Sequence, residues 1–452
     1  MSQVKLFSSS GGARVAKRSG RQKKQKVKKP LKTLAIWLLV ILCLEGLYFF
    51  CIYTNNSFVK KWRTIYINTA MDTMRHQWLA TYFIPKDVID EVRYEYGLVK
   101  AGTVGKESTW GRTDSAPADQ TPSTSNDNIV TLDPNVTHET DQPDSEELTQ
   151  EALAKQAEEN FYSVFWELDR TSMETYLAEH PDTLANGWEH IYINEAGFDD
   201  EGTSIQSTFG EQVLAIDAYN GVLLLRISGK GYRGVLAVGK DPSRLSIEMA
   251  TTLGTAGQLS GTIAEAHNGV LAMNANGFLD PNGAGNGGLL AGYTMSNGKA
   301  YGDHFSAYAY KRIELHEDDL FYIKDALSPV SEDCTDAAEF TPALIVDGKK
   351  IMDDYWTGEQ PRACIGQSEK YEILMLVIEG RYPLEGILGT SVNNCSEILL
   401  QHKCMQAINL DGGSSAMLWF DGEYVTQSSS SPLRYTGGRP LPNAWVYKKA
   451  ES

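Results

Sequence analysis

One short run of the chain concentrates groups that could do chemistry. Asp411-Gly412-Gly413-Ser414-Ser415 follows an apolar lead-in, Met405 to Leu410, and precedes a second apolar stretch, Ala416 to Phe420, which leaves through Asp421-Gly422. The pattern predicts a buried strand, a turn and a second strand. A carboxylate at the end of a buried strand suits a binding or catalytic turn. Two glycines let backbone N–H groups approach a ligand, and consecutive N–H groups can cradle a phosphate. The same residues are ordinary turn formers, so the surrounding sequence has to decide.

Other candidates lie upstream. Asn274-Ala-Asn-Gly-Phe278 follows a short strand pattern, Arg362-Ala-Cys-Ile-Gly-Gln367 and Ile373 to Ile378 form a strand pair, and Glu379-Gly380-Arg381 ends the second of them. Asp303 and His304 sit in a loop, where they could supply an acid, a base or a ligand, though such residues are more often solvated. Asp72 and His76 are spaced i,i+4, but one carboxylate and one imidazole do not make a metal site. The acidic run Glu317-Asp318-Asp319 leaves room for a divalent cation without specifying one. Cys334, Cys364, Cys395 and Cys404 show no C-x-x-C spacing and read as unpaired, partly buried thiols. Gly412 to Ala416 is not G-x-S-x-G and no histidine is tied to it, which counts against a serine hydrolase. No G-x-G-x-x-G opening a helix is present, so a dinucleotide fold is not indicated.

The elements that must position these residues occupy the outer part of a 452-residue chain, long enough for two or three units. Residues 1–32 form a basic tail. Residues 33–53 are apolar and number enough to cross a bilayer at about 1.5 Å per residue. The lysines before them place that end in the cytoplasm and the remainder outside. The run is too long for a cleaved signal peptide, and Glu45 within it is either functional or paired with a neighbouring helix. Residues 54–100 read as a membrane-proximal amphipathic helical segment, 101–146 as an acidic Ser/Thr/Pro linker and 147–210 as a helical lead-in. In that lead-in, Thr171-Ser-Met-Glu174 forms a capping box. Residues 211–449 carry irregularly alternating strands and helices, opening on the hairpin signal Asn220-Gly221, and predict a mixed-sheet α/β or α+β domain. Asn394 to Lys403 reads as the helix leading into the Asp411 run. Asn135-Val-Thr137 fits a glycosylation sequon, meaningful only in a host that glycosylates.

Charge narrows the partners. The net charge is −17, yet the first 53 residues hold eleven of the 41 Lys+Arg and a single acid, Glu45. The outer part is therefore more acidic than the whole, which excludes a general nucleic-acid binder.

Taken together, Asn274-Ala-Asn-Gly-Phe, Arg362-Ala-Cys-Ile-Gly, Glu379-Gly-Arg381 and Asn409-Leu-Asp-Gly-Gly-Ser-Ser resemble the ordered motifs of the phosphodiester glycosidase family. The resemblance spans Val213 to Tyr447, and with the apolar N-terminal helix it is similar to the membrane-bound bacterial members linked to exopolysaccharide or cell-wall chemistry. The family's commoner forms read N-A-G-F-F, R-T-A-I-G, D-G-R and N-L-D-G-G-G-S-S-T-M. Here Asn274-Ala-Asn-Gly-Phe has an extra residue, Ala363-Cys364 replaces Thr-Ala, Glu379 replaces Asp, one glycine is missing and Ala416 replaces Thr.

The resemblance implies hydrolysis of a sugar-1-phosphodiester at the anomeric carbon, with oxocarbenium-like charge and a phosphate monoester leaving group. Phosphate leaves well, so a phosphate clamp and a carboxylate matter more than a strong acid. Under it, Arg362 and Arg381 become the clamp, with Arg439 a third candidate. Asp411 becomes nucleophile, general base or charge stabiliser, and Glu379 the second carboxylate. Gly412, Gly413, Ser414 and Ser415 would bind through backbone or hydroxyl groups. Asn274, Asn276 and Asn409 would orient sugar hydroxyls. No cofactor is specified, and a divalent cation is possible. A non-catalytic glycan-phosphate binding or assembly protein could use the same cleft.

Overall fold

Six consecutive apolar residues, Ile373–Ile378, are all buried, too continuous for a strand with one wet face. Each such side chain contributes about 1.5–3 kcal/mol on burial, so this strand sits inside the molecule and dictates what flanks it. In the computed structural model it is the fifth strand of a nine-stranded sheet. Tyr192–Asn194, Gln212–Asp217, Val222–Gly229 and Tyr232–Gly239 lie on one side of it. Arg362–Ser368, Cys404–Asn409, Ala343–Val346 and Lys349–Lys350 lie on the other. The structure describes residues 29–73, 76–109, 150–198, 200–280, 285–306, 309–352, 357–430 and 436–451. The basic tail up to residue 28, most of the Ser/Thr/Pro linker and the Asn135 sequon lie outside the described residues.

Two five-stranded sheets, with a small pair of Gly277–Phe278 and Leu290–Ala291, accompany the nine-stranded sheet among the described residues. One runs Lys299–Tyr301, Thr294–Ser296, Cys334–Phe340, Lys311–His316, Phe321–Asp325; the other runs Glu423–Tyr424, Leu418–Phe420, Gly269–Asn274, Asn443–Lys448, Leu245–Met249. A single apolar core joins all three, with Phe321 edge-on to Trp445 at 5.5 Å and both fully buried. Every pairing in these sheets is antiparallel. The domain is α+β, and the parallel neighbours that a mixed sheet allows are not among the described strands.

Eight helices are described. α1 (Lys29–Tyr53) contains 22 residues, Lys32–Tyr53, of mean hydropathy 2.4, long and apolar enough to span a membrane. It falls in a unit of its own, Met1–Asn56, and the rest of the chain forms the second unit.

The second unit begins with α2 (Ser57–Met71), α3 (Trp78–Thr81) and α4 (Lys86–Ala101). The single amphipathic helix expected here is broken in two places, and Pro85 supplies one reason: lacking an N–H, it stands at the N-cap of α4 rather than inside a longer helix. After α4 the chain stays on the domain as far as Thr109, past the point where the linker was expected to begin. Ser108 donates its backbone N–H to Ile323 O (2.8 Å) and its hydroxyl to Gln406 Oε1 (2.8 Å), and Thr109 N–H donates to Asp347 Oδ2 (2.9 Å).

The lead-in contains α5 (Gln150–Val164) and α6 (Arg170–Glu179). Asp169, not Thr171, caps α6, its carboxylate accepting from Ser172 N–H at 2.8 Å. Lys240 ties this region to the main sheet by bridging Glu167 (2.6 Å) and Glu372 (2.8 Å). α7 (Ser260–Ala266) and α8 (Val392–Gln401) complete the set, with α8 opened by Ser391 two residues earlier than the sequence pattern indicated. Cys334, Cys364, Cys395 and Cys404 are unpaired thiols, buried outright rather than in part.

Candidate active site

Two neighbouring strands of the main sheet build the site. Arg362–Ser368 and Cys404–Asn409 run antiparallel, with Cys364 opposite Asn409. The pairing continues past the strand end: Leu410 N–H donates to Ala363 O (2.7 Å) and Gly413 N–H to Pro361 O (3.2 Å). That register sets Arg362 across from Asp411. A Cβ on Gly412 would stand 2.5 Å from Pro361 O, a backbone atom unable to retreat, so only glycine closes this turn. Gly413 has φ +64°, and a Cβ there would lie 3.1 Å from Arg381 Nη1. The strand Ile373–Ile378 delivers Arg381 from the other side. Arg381 itself adopts φ +65°, a left-handed conformation that costs a non-glycine residue about 1–2 kcal/mol.

The electrostatics of these residues are perturbed. Desolvation pushes the Asp411 carboxyl above the usual aspartate range, offset in part by the Ser415 hydroxyl, Arg439, the Gly412 N–H and Arg381. Burial, then the nearby Arg362, lowers Arg381, and Asp411 opposes the shift. The Arg381 side chain makes no hydrogen bond or ion pair among the described residues. Arg362 spends two of its groups on the backbone, Nε on Thr390 O (3.1 Å) and Nη2 on Gly358 O (2.8 Å). Arg439 is held by Asp280 (2.7 Å) and lies over the Phe278 ring at 4.3 Å. An arginine without a protein acceptor, beside a desolvated carboxylate and a glycine turn, is suited to gripping an oxyanion.

Residues 267–448 match the phosphodiester glycosidase family. The domain is also similar to a zebrafish N-acetylglucosamine-1-phosphodiester alpha-N-acetylglucosaminidase catalytic domain, auto-inhibited by its pro-peptide. Identity is 15%, over 51% of this chain and 82% of that one, with a TM-score of 0.42. A Synechocystis protein is similar at 15% identity, over 54% of this chain and 65% of that one, with a TM-score of 0.36. No curated protein matches.

Within this phosphodiester glycosidase-like domain the remaining candidates divide by what their side chains already hold. Asn274 donates to Asp411 O (2.7 Å), fixing the catalytic candidate's backbone, while its buried Oδ1 has no hydrogen-bond partner among the described residues. Asn276 is fully committed: its amide donates to Tyr293 O and Glu339 O, and its Oδ1 accepts from Thr294 and Asn443. Asn409 donates to Thr341 O and Leu410 O. Neither amide N–H group is left for a sugar. Ser415 faces Asp411 through its hydroxyl, and Ser414 is half-buried in the same turn.

Glu379 does not stand with Asp411 as a second carboxylate. Its two oxygens accept from Arg233 Nε (2.7 Å) and Gln427 N–H (2.8 Å). Its role there is to hold the strand end that precedes Arg381. Glu379→Gln is expected to destabilise the fold by about 1–3 kcal/mol, since it leaves a hydrogen-bonded cation half-partnered. A thermal melt would register the loss, and an unchanged melting temperature would contradict this assignment.

No motif points to Tyr310; burial raises its hydroxyl above the usual phenol range, with Asp411 adding to the shift. Its ring stacks on Phe305 at 3.9 Å, and a stacked aromatic pair beside the acid offers an apolar face to a sugar. His304 is bound to Glu339 (2.5 Å) and stacked on Tyr293, and Asp72 pairs with Arg93 (2.6 Å). The acidic run at 317–319 forms a turn in which Asp318 accepts from Leu320 N–H and the Tyr322 hydroxyl. Among the described residues no group of three or more His, Cys, Asp and Glu side chains is placed to hold a metal ion.

Proposed function

We propose that this chain hydrolyses a sugar-1-phosphodiester at the anomeric carbon, as a membrane-anchored enzyme with its domain outside the cytoplasm. The observation that carries the reading is the Arg381 guanidinium, held at Gly413 beside Asp411 and without a protein partner among the described residues. Arg381 and the remaining Nη1 of Arg362 grip the phosphate oxygens, and the turn N–H groups add neutral donors. Asp411 meets the positive charge that builds at the anomeric carbon, as nucleophile or as base toward water. One carboxylate suffices because the departing phosphate monoester needs little protonation. The lysine-rich flank of α1 supports a cytoplasmic N-terminus, and a glycan of the cell wall or an exopolysaccharide is the substrate class that such an anchored enzyme would meet.

The test is sugar release from a panel of sugar-1-phosphodiesters by the full chain in detergent, with and without chelator. Release from at least one member, abolished in Asp411→Asn, is expected. Binding without release from any member would instead favour the non-catalytic glycan-phosphate reading.

A further inference from the structure

The family match begins at residue 267, yet the loop that aims Arg362 is fastened by α2, from far upstream. Thr69 Oγ1 donates to Ile65 O, one helical turn back, at 2.7 Å, which turns its lone pairs toward the loop. There it accepts from Glu359 N–H at 3.1 Å. The two backbones touch as well: a Cβ on Gly358 would lie 2.5 Å from Thr69 Cα and 2.7 Å from its Oγ1, too close for any side chain. Just past the end of α2, Asp72 Oδ2 stands 3.5 Å from Gln360 Nε2.

α2 is itself pinned on both sides of Thr69. Arg93 of α4 donates to Asn68 Oδ1 at 3.0 Å and to Asp72 Oδ1 at 2.6 Å, and Asn68 is fully buried. One guanidinium thus fixes the turn of helix that carries the hydroxyl.

From Thr69 the contacts run unbroken into the site. Gly358, the residue before Glu359, offers its carbonyl to Arg362 Nη2 at 2.8 Å, and Arg362 Nε donates to Thr390 O at 3.1 Å. Gln360 and Thr390 exchange both backbone hydrogen bonds, at 3.1 and 2.9 Å, so the two carbonyls that hold the guanidinium belong to one braced pair of segments. Pro361, next in the loop, accepts from Gly413 N–H at 3.2 Å and abuts Gly412. A shift of residues 358–361 therefore moves Arg362 and the Asp411 turn together.

We propose that Thr69 is a positioning residue of the Asp411 site: it holds the 358–361 loop where the Arg362 guanidinium meets the phosphate oxygens, which makes α2 a working part of the site. The inference rests on the phosphate-binding reading above and adds to it a residue that touches no substrate. A planar guanidinium grips an oxyanion fully only when the two are aligned. Groups that share one hydrogen-bond network are coupled in free energy, so a loosened loop weakens the grip without removing any group that makes it.

The test is calorimetric titration of the full chain in detergent with inorganic phosphate, beside a thermal melt of each variant. Thr69→Val keeps the side chain's shape and loses the oxygen; it is expected to weaken phosphate about five- to tenfold, with Thr69→Ser within about twofold of the parent. Gly358→Ala, which forces the two backbones apart from the other side, is expected to match Thr69→Val. Added to Arg362→Ala, Thr69→Val should weaken phosphate by less than about twofold more, because its effect passes through Arg362. A merely structural Thr69 would lower the melting temperature and the fraction of protein that binds, leaving the dissociation constant of the folded fraction unchanged; that result overturns the proposal. An undiminished effect of Thr69→Val in the Arg362→Ala background overturns it too. If Arg362→Ala and Arg381→Ala both bind phosphate as the parent does, the phosphate site itself is misplaced and the positioning role falls with it. If they lose phosphate while Thr69→Val does not, only the positioning role falls.

Discussion

Asp411→Asn is expected to abolish most turnover and to stabilise the protein in the same stroke. A positioned carboxylate acting on the reacting centre contributes about 10²- to 10⁴-fold, so sugar release should fall by that much while phosphate binding persists. The stability gain follows from linkage. Desolvation raises the folded-state pKa of Asp411 above its unfolded value, so the unfolded chain ionises first. Folding stability therefore declines as pH rises from the unfolded value, about 3.9, through the raised folded one, and the deficit stays constant above it. Asparagine carries no such deficit. Melting temperatures of the parent and Asp411→Asn should differ at pH 7, with the variant higher, and converge at about pH 3.5. The rate profile should show its acid limb above the ordinary aspartate range, because the working form is the ionised one. A variant that melts lower at pH 7, or retains full turnover, would remove Asp411 from the chemistry.

The second large effect is at Arg381. Charge-assisted hydrogen bonds are worth about 1.5–3 kcal/mol, so Arg381→Ala should lower kcat/KM by about 10- to 150-fold. Arg381→Lys should recover only part, since an ammonium cannot grip two oxygens in a plane. The fold should not suffer, because the side chain holds no protein group among the described residues. Arg381→Gly should even gain about 1 kcal/mol by relieving the left-handed backbone. Arg362→Ala makes the contrast: it orphans the carbonyls of Thr390 and Gly358 and should melt earlier. Kinetics and thermal melts of the four variants, measured together, separate the residue that grips substrate from the one that also braces the loop. Equal destabilisation by Arg381→Gly and Arg362→Ala would refute the distinction.

Some of this was legible in the residues and some was not, for physical reasons. The Asp411 turn could be read because it is local: an apolar strand, a carboxylate and two glycines are adjacent in sequence. The strand pair carrying Arg362 and Arg381 was legible for the same reason. What the asparagines hold was not, because Asn276 spends its groups on Tyr293, Thr294, Glu339 and Asn443, and Asn409 reaches back to Thr341 as well as to its neighbour Leu410. Glu379 looked like a second catalytic acid until Arg233, 146 residues earlier, claimed it. The α6 boundary offered two rival caps, and the capping-box pattern pointed to Thr171 where Asp169 does the work. Tyr310 belongs to no motif; only tertiary packing brings it near Asp411. Pro85 interrupts a run that periodicity alone would make continuous, because it offers no N–H to a longer helix.

The contact between Thr69 and Glu359 joins residues 290 positions apart. During synthesis, α2 and α4 emerge early and wait for the loop that they will grip. Closure of so long a chain loop comes late and slowly compared with local helix formation. Until residues 358 to 390 have been made, Arg362 lacks the carbonyls that hold it and α2 lacks the loop that it grips. The segment that carries Arg362 therefore takes its final place only after α2 and a loop 290 residues further along have met.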